Sequence, residues 1–341
     1  MLKIDVHGAG VVGVWQALTL ARAGHAVRLI DSSPAPFAAG ASRRAAAMIA
    51  PYCEAEAGGP LILEWGLRSL ALWREHHPDL VRNGTLVVAA PRDRPELTRF
   101  ARLTQNWRLL GRDDLASLEP SLGERHAAAL FYADEAHVEP AIALPQLLRD
   151  AQNAGCEVAF GADVGAKQSD LSLSSRADWI IDCRGMAAAP DLPGLRGVRG
   201  EMAVIASGEV RLSRPVRLLH PRFPLYIAPW AGGRFMVGAT VIESSDPGTV
   251  TVRSALDLLA AALAVHPAFA EARIEGLHAE VRPAFSDNLP RIIASGRRIH
   301  VNGVHRHGFL LAPALAEMVR AYVETGAAPP AEVTADVTPA A

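Results

Sequence analysis

The chain has 341 residues, half of them hydrophobic and 21% charged, enough for two folded domains or one large one. Its formal net charge of −2 gives no electrostatic footprint for nucleic acid or an anionic membrane, and with lysine only at positions 3 and 167, Schiff-base chemistry is not expected. Cys53, Cys156 and Cys183 are too scattered for a disulfide framework or a zinc site, and the twelve histidines show no HExxH-type spacing, so no metal is expected. No leader pattern precedes the first strand and no apolar run is long enough to span a bilayer, which makes a cytoplasmic protein the expectation.

In "LKIDVHGAGVVGVWQALTLARAGHAVRLID", residues 2–31, Leu2, Ile4 and Val6 alternate as in a strand, and Gly8-x-Gly10-x-x-Gly13 follows. Val14, Ala17, Leu18, Leu20 and Ala21 recur at helical spacing, Gly24 ends the helix, and Val27, Leu29 and Ile30 form a second strand closing on Asp31. Strand, glycine turn, helix, strand and terminal acid predict a dinucleotide-binding unit. Gly8 serves the tight turn, Gly10 the approach of a pyrophosphate, Gly13 the packing of helix on strand, and Asp31 the ribose hydroxyls. This unit does not separate NAD from FAD.

The next stretch, "AAGASRRAAAMIAP" over 38–51, is either an Ala-rich helix with solvated Arg43 and Arg44 or a loop of small side chains beside a flat ligand, with Ser42 donating to phosphate. Composition favours the helix. Helices are expected over 61–77, 96–110, 113–119, 141–154 and 252–265. Strands are expected over 83–90, 178–185, 200–207, 210–219, 225–229, 234–239 and 298–304, with "SDLSLSS" as one arm of a hairpin and 327–341 as a loose Pro/Ala-rich tail. A β-rich middle within an α/β frame predicts an inserted second domain.

Two later motifs carry charge. "EVRPAFSDNLP" puts Arg282 at a strand end, where a guanidinium can grip a carboxylate through two parallel hydrogen bonds or pair with Glu280 or Asp287. "NGVHRHGFLLAPALAEM" sets His305, Arg306 and His307 directly before Gly308 and an apolar helix. Cations at a helix N-terminus are unfavourable by roughly 0.3–1 kcal/mol, so a negative group is expected near this turn.

The glycine unit, the Ala-rich loop, "HVEP", "RGEM", "PLYIAPWAGGRFMVGAT", "VRPAFSDNLP" and "HRHGFLLAPALAEM", in that order, resemble the FAD-dependent D-amino-acid oxidase superfamily from residue 2 to about residue 322. The nearest likeness is to glycine oxidases of the thiamine-pathway type. The resemblance implies an α/β fold: an FAD-binding Rossmann-like domain of the D-amino-acid oxidase/glutathione-reductase-2 type with an inserted α+β antiparallel-sheet substrate domain. The FAD domain is expected over 1–78, 141–199 and 277–326, and the substrate domain over 79–140 and 200–276. The resemblance also implies non-covalent FAD, with Gly8, Gly10, Val11, Val12 and Gly13 at the pyrophosphate, Asp31 at the ribose and Val164 at the adenine. Ser42, Ala45, Ala46, Ala47 and Met48 would follow phosphate and isoalloxazine, and Gly185 the ribityl chain. Arg282, His307, Gly308, Phe309 and Leu310 would lie at the ring, where the helix N-terminus supports the negative charge of reduced flavin. By the same resemblance Tyr226, Arg282, Arg306 and His305 meet the substrate, Tyr226 donating its hydroxyl to the carboxylate.

The implied reaction is oxidative deamination of glycine or a small N-substituted glycine by hydride transfer to flavin N5, with dioxygen reduced to hydrogen peroxide. No catalytic side chain is expected, and a cationic His305, Arg306 or His307 is a candidate for assisting dioxygen. Sarcosine, iminodiacetate and D-alanine are alternative substrates, a quinone-linked dehydrogenase and a non-catalytic or NAD-binding nucleotide protein alternative functions, and a homo-oligomer such as a tetramer the implied assembly. The sequence departs from the pattern at Asp31, where many relatives have Glu, and at Ala47, where Gly is usual. It departs again at His305 and His307, where an aromatic and Asn are common, and at Val241, where some sarcosine oxidases carry Lys.

Overall fold

The computed structural model describes residues 1–162, 177–219 and 225–334. The expected hairpin arm "SDLSLSS" and the adenine contact at Val164 lie outside these residues. Two sheets and a short ribbon organise the chain. The first sheet has six strands in the order Arg291–Ser295, Arg298–Asn302, Trp179–Asp182, Lys3–His7, Ala26–Asp31 and Glu157–Phe160, parallel except for the hairpin formed by the first two. From Ile4 onward Lys3–His7 is buried on both faces, as a parallel strand covered on both sides must be. Strand order reverses between Lys3–His7 and Trp179–Asp182, and a crevice opens at their carboxyl ends. The glycine turn leads into the helix Val11–Arg22. A Cβ on Gly13 would lie 1.8 Å from the Gly8 carbonyl oxygen, so only glycine lets this helix sit so close to its strand.

Val11–Arg22 packs against Pro140–Asn153 and Gly308–Thr325, and Pro51–His76 packs against Gly308–Thr325. Trp15 and Trp73 meet edge to face at 5.0 Å in this core. Pro313 interrupts the hydrogen-bond ladder of Gly308–Thr325, because proline has no N–H for the Phe309 carbonyl four residues earlier. The orphaned carbonyl accepts from Trp73 Nε1 at 2.8 Å, and the Ala314 N–H donates to Ser69 Oγ at 3.1 Å. Two side chains of one helix thus satisfy the backbone of the other.

Pro51–His76 is itself broken, at Gly59 (φ 72°) followed by Pro60. The helix expected over 61–77 corresponds to its second part. The first part, opened by Pro51 at its N-terminus, brings Cys53 and Glu54 into the interior, with Glu56 half-buried beside them.

The second sheet runs Ile242–Glu243, Arg196–Ala206, Arg234–Gly238, Leu225–Trp230, Val216–Leu219, Thr85–Ala89, Ala128–Tyr132, Arg108–Gly111, and Arg273–Ala284 also pairs with Arg196–Ala206. The expected boundaries at 199/200 and 276/277 fall inside these two mutually paired strands. Val252–Val265 covers one face, its Leu258, Ala261, Ala262 and Val265 buried there. The helix expected over 96–110 stops at Leu103. Asn106 takes φ 61°, and the chain turns into the edge strand Arg108–Gly111, where pairing of Leu109 with Leu130 overrides helix propensity. The tail expected from 327 is not loose up to Thr334, because Ala331–Thr334 is a helical turn whose Val333 is fully buried in the core of the first sheet.

Glu135 ties the two halves together. It lies fully buried between Ala128–Tyr132 and Ala136–His137, and its Oε1 accepts the Cys53 N–H at 2.7 Å. Burial pushes this carboxyl up to about 7.

Two measurements test these supports. Trp73→Phe leaves the Phe309 carbonyl unsatisfied and is expected to cost about 1–3 kcal/mol in urea unfolding. For Glu135 the folded pKa exceeds the unfolded one. As pH rises through the window from 4.5 towards 7, the unfolded chain therefore ionises first and the wild type loses stability. Glu135→Gln removes that loss: the variant is expected to gain on the wild type by on the order of 2–3 kcal/mol at pH 8, shrinking towards zero near pH 4.

Candidate active site

The crevice is a cavity of about 1260 Å³, larger than the ~300–1,000 Å³ of a typical small-molecule pocket. Of the expected cofactor residues, Gly8, Gly10, Val11, Val12, Asp31, Ser42, Ala45, Ala46, Ala47, Met48 and Gly185 line it, as do Arg282, His307, Gly308, Phe309 and Leu310. Gly13 does not; it lies at the helix–strand contact, where a Cβ would meet the Gly8 carbonyl.

Two helix N-termini meet here. The N-cap residues of Val11–Arg22 and Gly308–Thr325, Gly10 and His307, make no side-chain capping hydrogen bond, and a Cβ on Gly308 would lie 3.3 Å from Val11 Cγ1. N–H groups without a side-chain cap from the N-cap residue, and the positive ends of two dipoles, favour an anionic group. Ser42 Oγ accepts the Val11 N–H at 3.0 Å and keeps its own proton for a phosphate. Asp31 accepts from Ala9 N at 2.6 Å and Ser33 N at 2.7 Å, and each oxygen retains a lone pair for a ribose hydroxyl. These residues fit FAD.

The Ala-rich stretch is not the helix that composition favours. Ala41–Arg44 is a single 3-10 turn and Met48–Ile49 is extended, because Ser42 is drawn to Val11 and Met48–Ile49 pairs with Ala136–His137. Ala47 adopts φ 50°, which explains why glycine suits this position in the resembling family. The Val138 N–H donates to its carbonyl at 3.1 Å and holds it there.

Tyr226, Arg282, His305 and Arg306 all face the same cavity. The alternative ion pairs for Arg282 are ruled out, since Glu280 lies 3.6 Å from Arg43 Nε and Asp287 2.7 Å from Arg291 Nη2. Among the described residues no carboxylate lies within ion-pair distance of Arg282, whose Nη1 donates to the Thr240 carbonyl at 3.2 Å. Its guanidinium lies across Gly200, where a Cβ would come within 1.9 Å of Nη2. Burial, reinforced by Arg306, pushes Arg282 down to about 10, so it remains a cation at neutral pH.

Sequence reasoning missed Glu54. This carboxylate is 6% exposed, lines the cavity, and gathers the residues expected to meet substrate. Its Oε2 lies 2.9 Å from both Arg306 Nη2 and His307 Nε2, and Tyr226 donates its hydroxyl to Oε1. Burial alone raises the Glu54 carboxyl, but Arg306, His307 and Arg217 outweigh it and hold it well below the usual carboxylate range. The negative group demanded by the basic turn is therefore supplied by the chain itself. Tyr226 also accepts from Arg217 Nη1 at 3.0 Å, so its proton goes to Glu54 instead of a substrate carboxylate. Arg217, likewise unforeseen, is buried, bonds the Cys53 carbonyl at 2.9 Å and Glu56 at 3.0 Å, and stacks 4.6 Å from the Phe100 ring centroid. The one available signal for Glu54 was Pro51, which marks a helix start and puts an acid in the first turn.

Neither histidine carries the charge expected for assisting dioxygen. Burial, with His307, Arg282 and Arg306 nearby, pushes His305 down to about 3. Burial also lowers His307, despite its bond to Glu54. Among the described residues no cluster could hold a metal ion, and no helix is long and apolar enough to cross a membrane.

Comparison with known proteins agrees with this geometry. The family model described as FAD dependent oxidoreductase, DAO, matches residues 4–322. The Rhizobium etli protein named as the thiamine biosynthesis oxidoreductase ThiO is 49% identical over 316 residues, covering 92% of this chain and 94% of its own. Glycine oxidase of Bacillus licheniformis is 27% identical over 343 residues, covering 92% and 90%. Among solved structures, glycine oxidase from Geobacillus kaustophilus superposes with a TM-score of 0.82 at 23% identity over the full length of both chains. Iminodiacetate oxidase from Chelativorans sp. BNC1 does so with a TM-score of 0.78 at 23% identity, covering 99% of this chain and 100% of its own. A cavity built by two helix N-termini, and a family match spanning nearly the whole chain, place this protein among the FAD-dependent oxidoreductases of the DAO family.

Proposed function

We propose that the protein oxidises glycine, or a small N-substituted glycine such as sarcosine, at its α-carbon with dioxygen as the final acceptor. The observation that carries this reading is Arg282, a guanidinium with no carboxylate partner among the described residues, opening on the cavity that the two helix N-termini share. A planar guanidinium binds a carboxylate through two parallel hydrogen bonds and fixes where the α-carbon lies. The Thr240 carbonyl and the space left by Gly200 hold Arg282 for that task. Glu54 keeps Arg306, His307 and Tyr226 in place, and neutral His305 adds a polar wall without charge. The redox chemistry, acceptance of a hydride from the α-carbon and its passage to dioxygen, is supplied by the bound flavin. No side chain needs to remove the α-proton, and the work of the protein is binding and orientation. Overall, glycine, water and dioxygen become glyoxylate, ammonia and hydrogen peroxide. The Rhizobium etli relative supports a place for this oxidation in supplying the thiamine thiazole precursor.

The test is the visible spectrum of the purified protein and its peroxide release with glycine, sarcosine, D-alanine and iminodiacetate. A yellow protein fastest with glycine or sarcosine is the expected result. One bleached by substrate but not reoxidised in air would be a dehydrogenase. A protein that cannot be loaded with FAD would sink the reading.

Two variants probe the carboxylate grip. Arg282→Lys is expected to raise KM for glycine about 30- to 150-fold, the loss of a charged bidentate contact of about 2–3 kcal/mol, with a smaller effect on kcat. Gly200→Ala should displace the flexible end of Arg282 and raise KM with little change in Tm. An unchanged KM would show that the guanidinium is not the anchor.

A further inference from the structure

The cations on the cavity wall are not equally free. Arg43 faces Glu280 at 3.6 Å. Arg44 follows Arg43 on the loop that faces Glu280. Arg217 does not line the cavity; it pairs with Glu56 at 3.0 Å and, more distantly, with Glu54 at 3.7 Å, so Glu56 supplies the charge that offsets it. His305 and His307 stay neutral at pH 7. Among the described residues this leaves Arg282, Arg306 and Glu54 at the substrate end, and Glu54 contacts Arg306 at 2.9 Å while none of opposite charge lies within ion-pair distance of Arg282. The three groups together carry one net positive charge.

We propose that Glu54 sets the charge of the substrate: by neutralising Arg306 it leaves a single unbalanced guanidinium, so the site accepts an amine with one carboxylate and disfavours one with two. The inference rests on the amino-acid oxidase reading above. It separates iminodiacetate, a dicarboxylic amine, from glycine and sarcosine among the candidate substrates. A second carboxylate approaching Arg306 would have to displace Glu54, which the His307 and Tyr226 hydrogen bonds hold in place, or lie beside it as a like charge in a water-poor pocket. Glu54 is thus a specificity-determining residue, tied to strand Leu225–Trp230 through Tyr226 and to the basic turn through His307. A merely structural tie would affect stability and flavin content without changing which anion the site prefers.

The test compares kcat/KM for iminodiacetate and sarcosine, and the binding of malonate and acetate to the FAD-loaded protein by perturbation of its visible band. Glu54→Gln keeps the shape and removes the charge. It is expected to raise the iminodiacetate-to-sarcosine ratio, and the malonate-to-acetate affinity ratio, by about tenfold or more. Adding Arg306→Leu restores one net positive charge and should return both ratios towards the wild type. Ratios that do not move in a fully flavin-loaded Glu54→Gln protein, or that stay high in the double variant, overturn the proposal. If Glu54→Gln does not fold, Arg306→Leu alone reads the same rule. With Glu54 then unbalanced, acetate should bind about tenfold or more weakly, and unchanged acetate binding overturns the proposal. If the wild type oxidises neither glycine nor sarcosine, the functional reading falls, and the malonate and acetate comparison alone decides the charge rule.

Discussion

A carboxylate buried among cations holds this site together. Glu54 belongs to the helix Pro51–His76, Tyr226 to the second sheet, and Arg306 with His307 to the turn that starts Gly308–Thr325. Their contacts join three parts of the chain that share no local sequence. Removing water from such a group is costly, and the cost is offset only because several donors converge on it. The same anion makes the basic turn tolerable, because without it Arg306 would stand against the positive end of a helix. Losing one partner of such a cluster typically costs about 3–5 kcal/mol, since the remaining charge is stranded.

Around that anchor the backbone does most of the cofactor-facing work. Helix ends, a glycine turn and a loop of small residues line much of the crevice. This suits a reaction in which the protein supplies orientation and field while the bound group supplies reactivity. Pro313 would weaken the second helix close to the site, but Trp73 and Ser69 take over the hydrogen bonds it disrupts. Rigidity at the crevice therefore comes from a neighbouring helix and not from the helix that forms it.

The first unit was legible because each of its signals is local: strand alternation, three glycines, helical spacing and a closing acid lie within thirty-one residues. Arg282 was legible as a candidate because a guanidinium at a strand end has few roles, though only the structure removed Glu280 and Asp287 as partners. Glu54 was not legible. It sits in a stretch of small and acidic residues that reads as a solvated surface, and its partners lie 172 and 253 residues away. Arg108–Gly111 failed for a related reason, because a short edge strand is specified by its neighbour Ala128–Tyr132 more than by its own pattern. The tail was misread because Pro and Ala are common in disordered ends, and one fully buried valine was enough to dock it.

The Trp73 to Phe309 bond spans 236 positions. A chain emerging from the ribosome makes its glycine turn long before its second helix N-terminus, which starts at residue 308. Until that segment is released, the nascent protein offers half a crevice, with a phosphate cradle but no end to receive the ring. The binding site is complete only once both of these distant segments have left the ribosome.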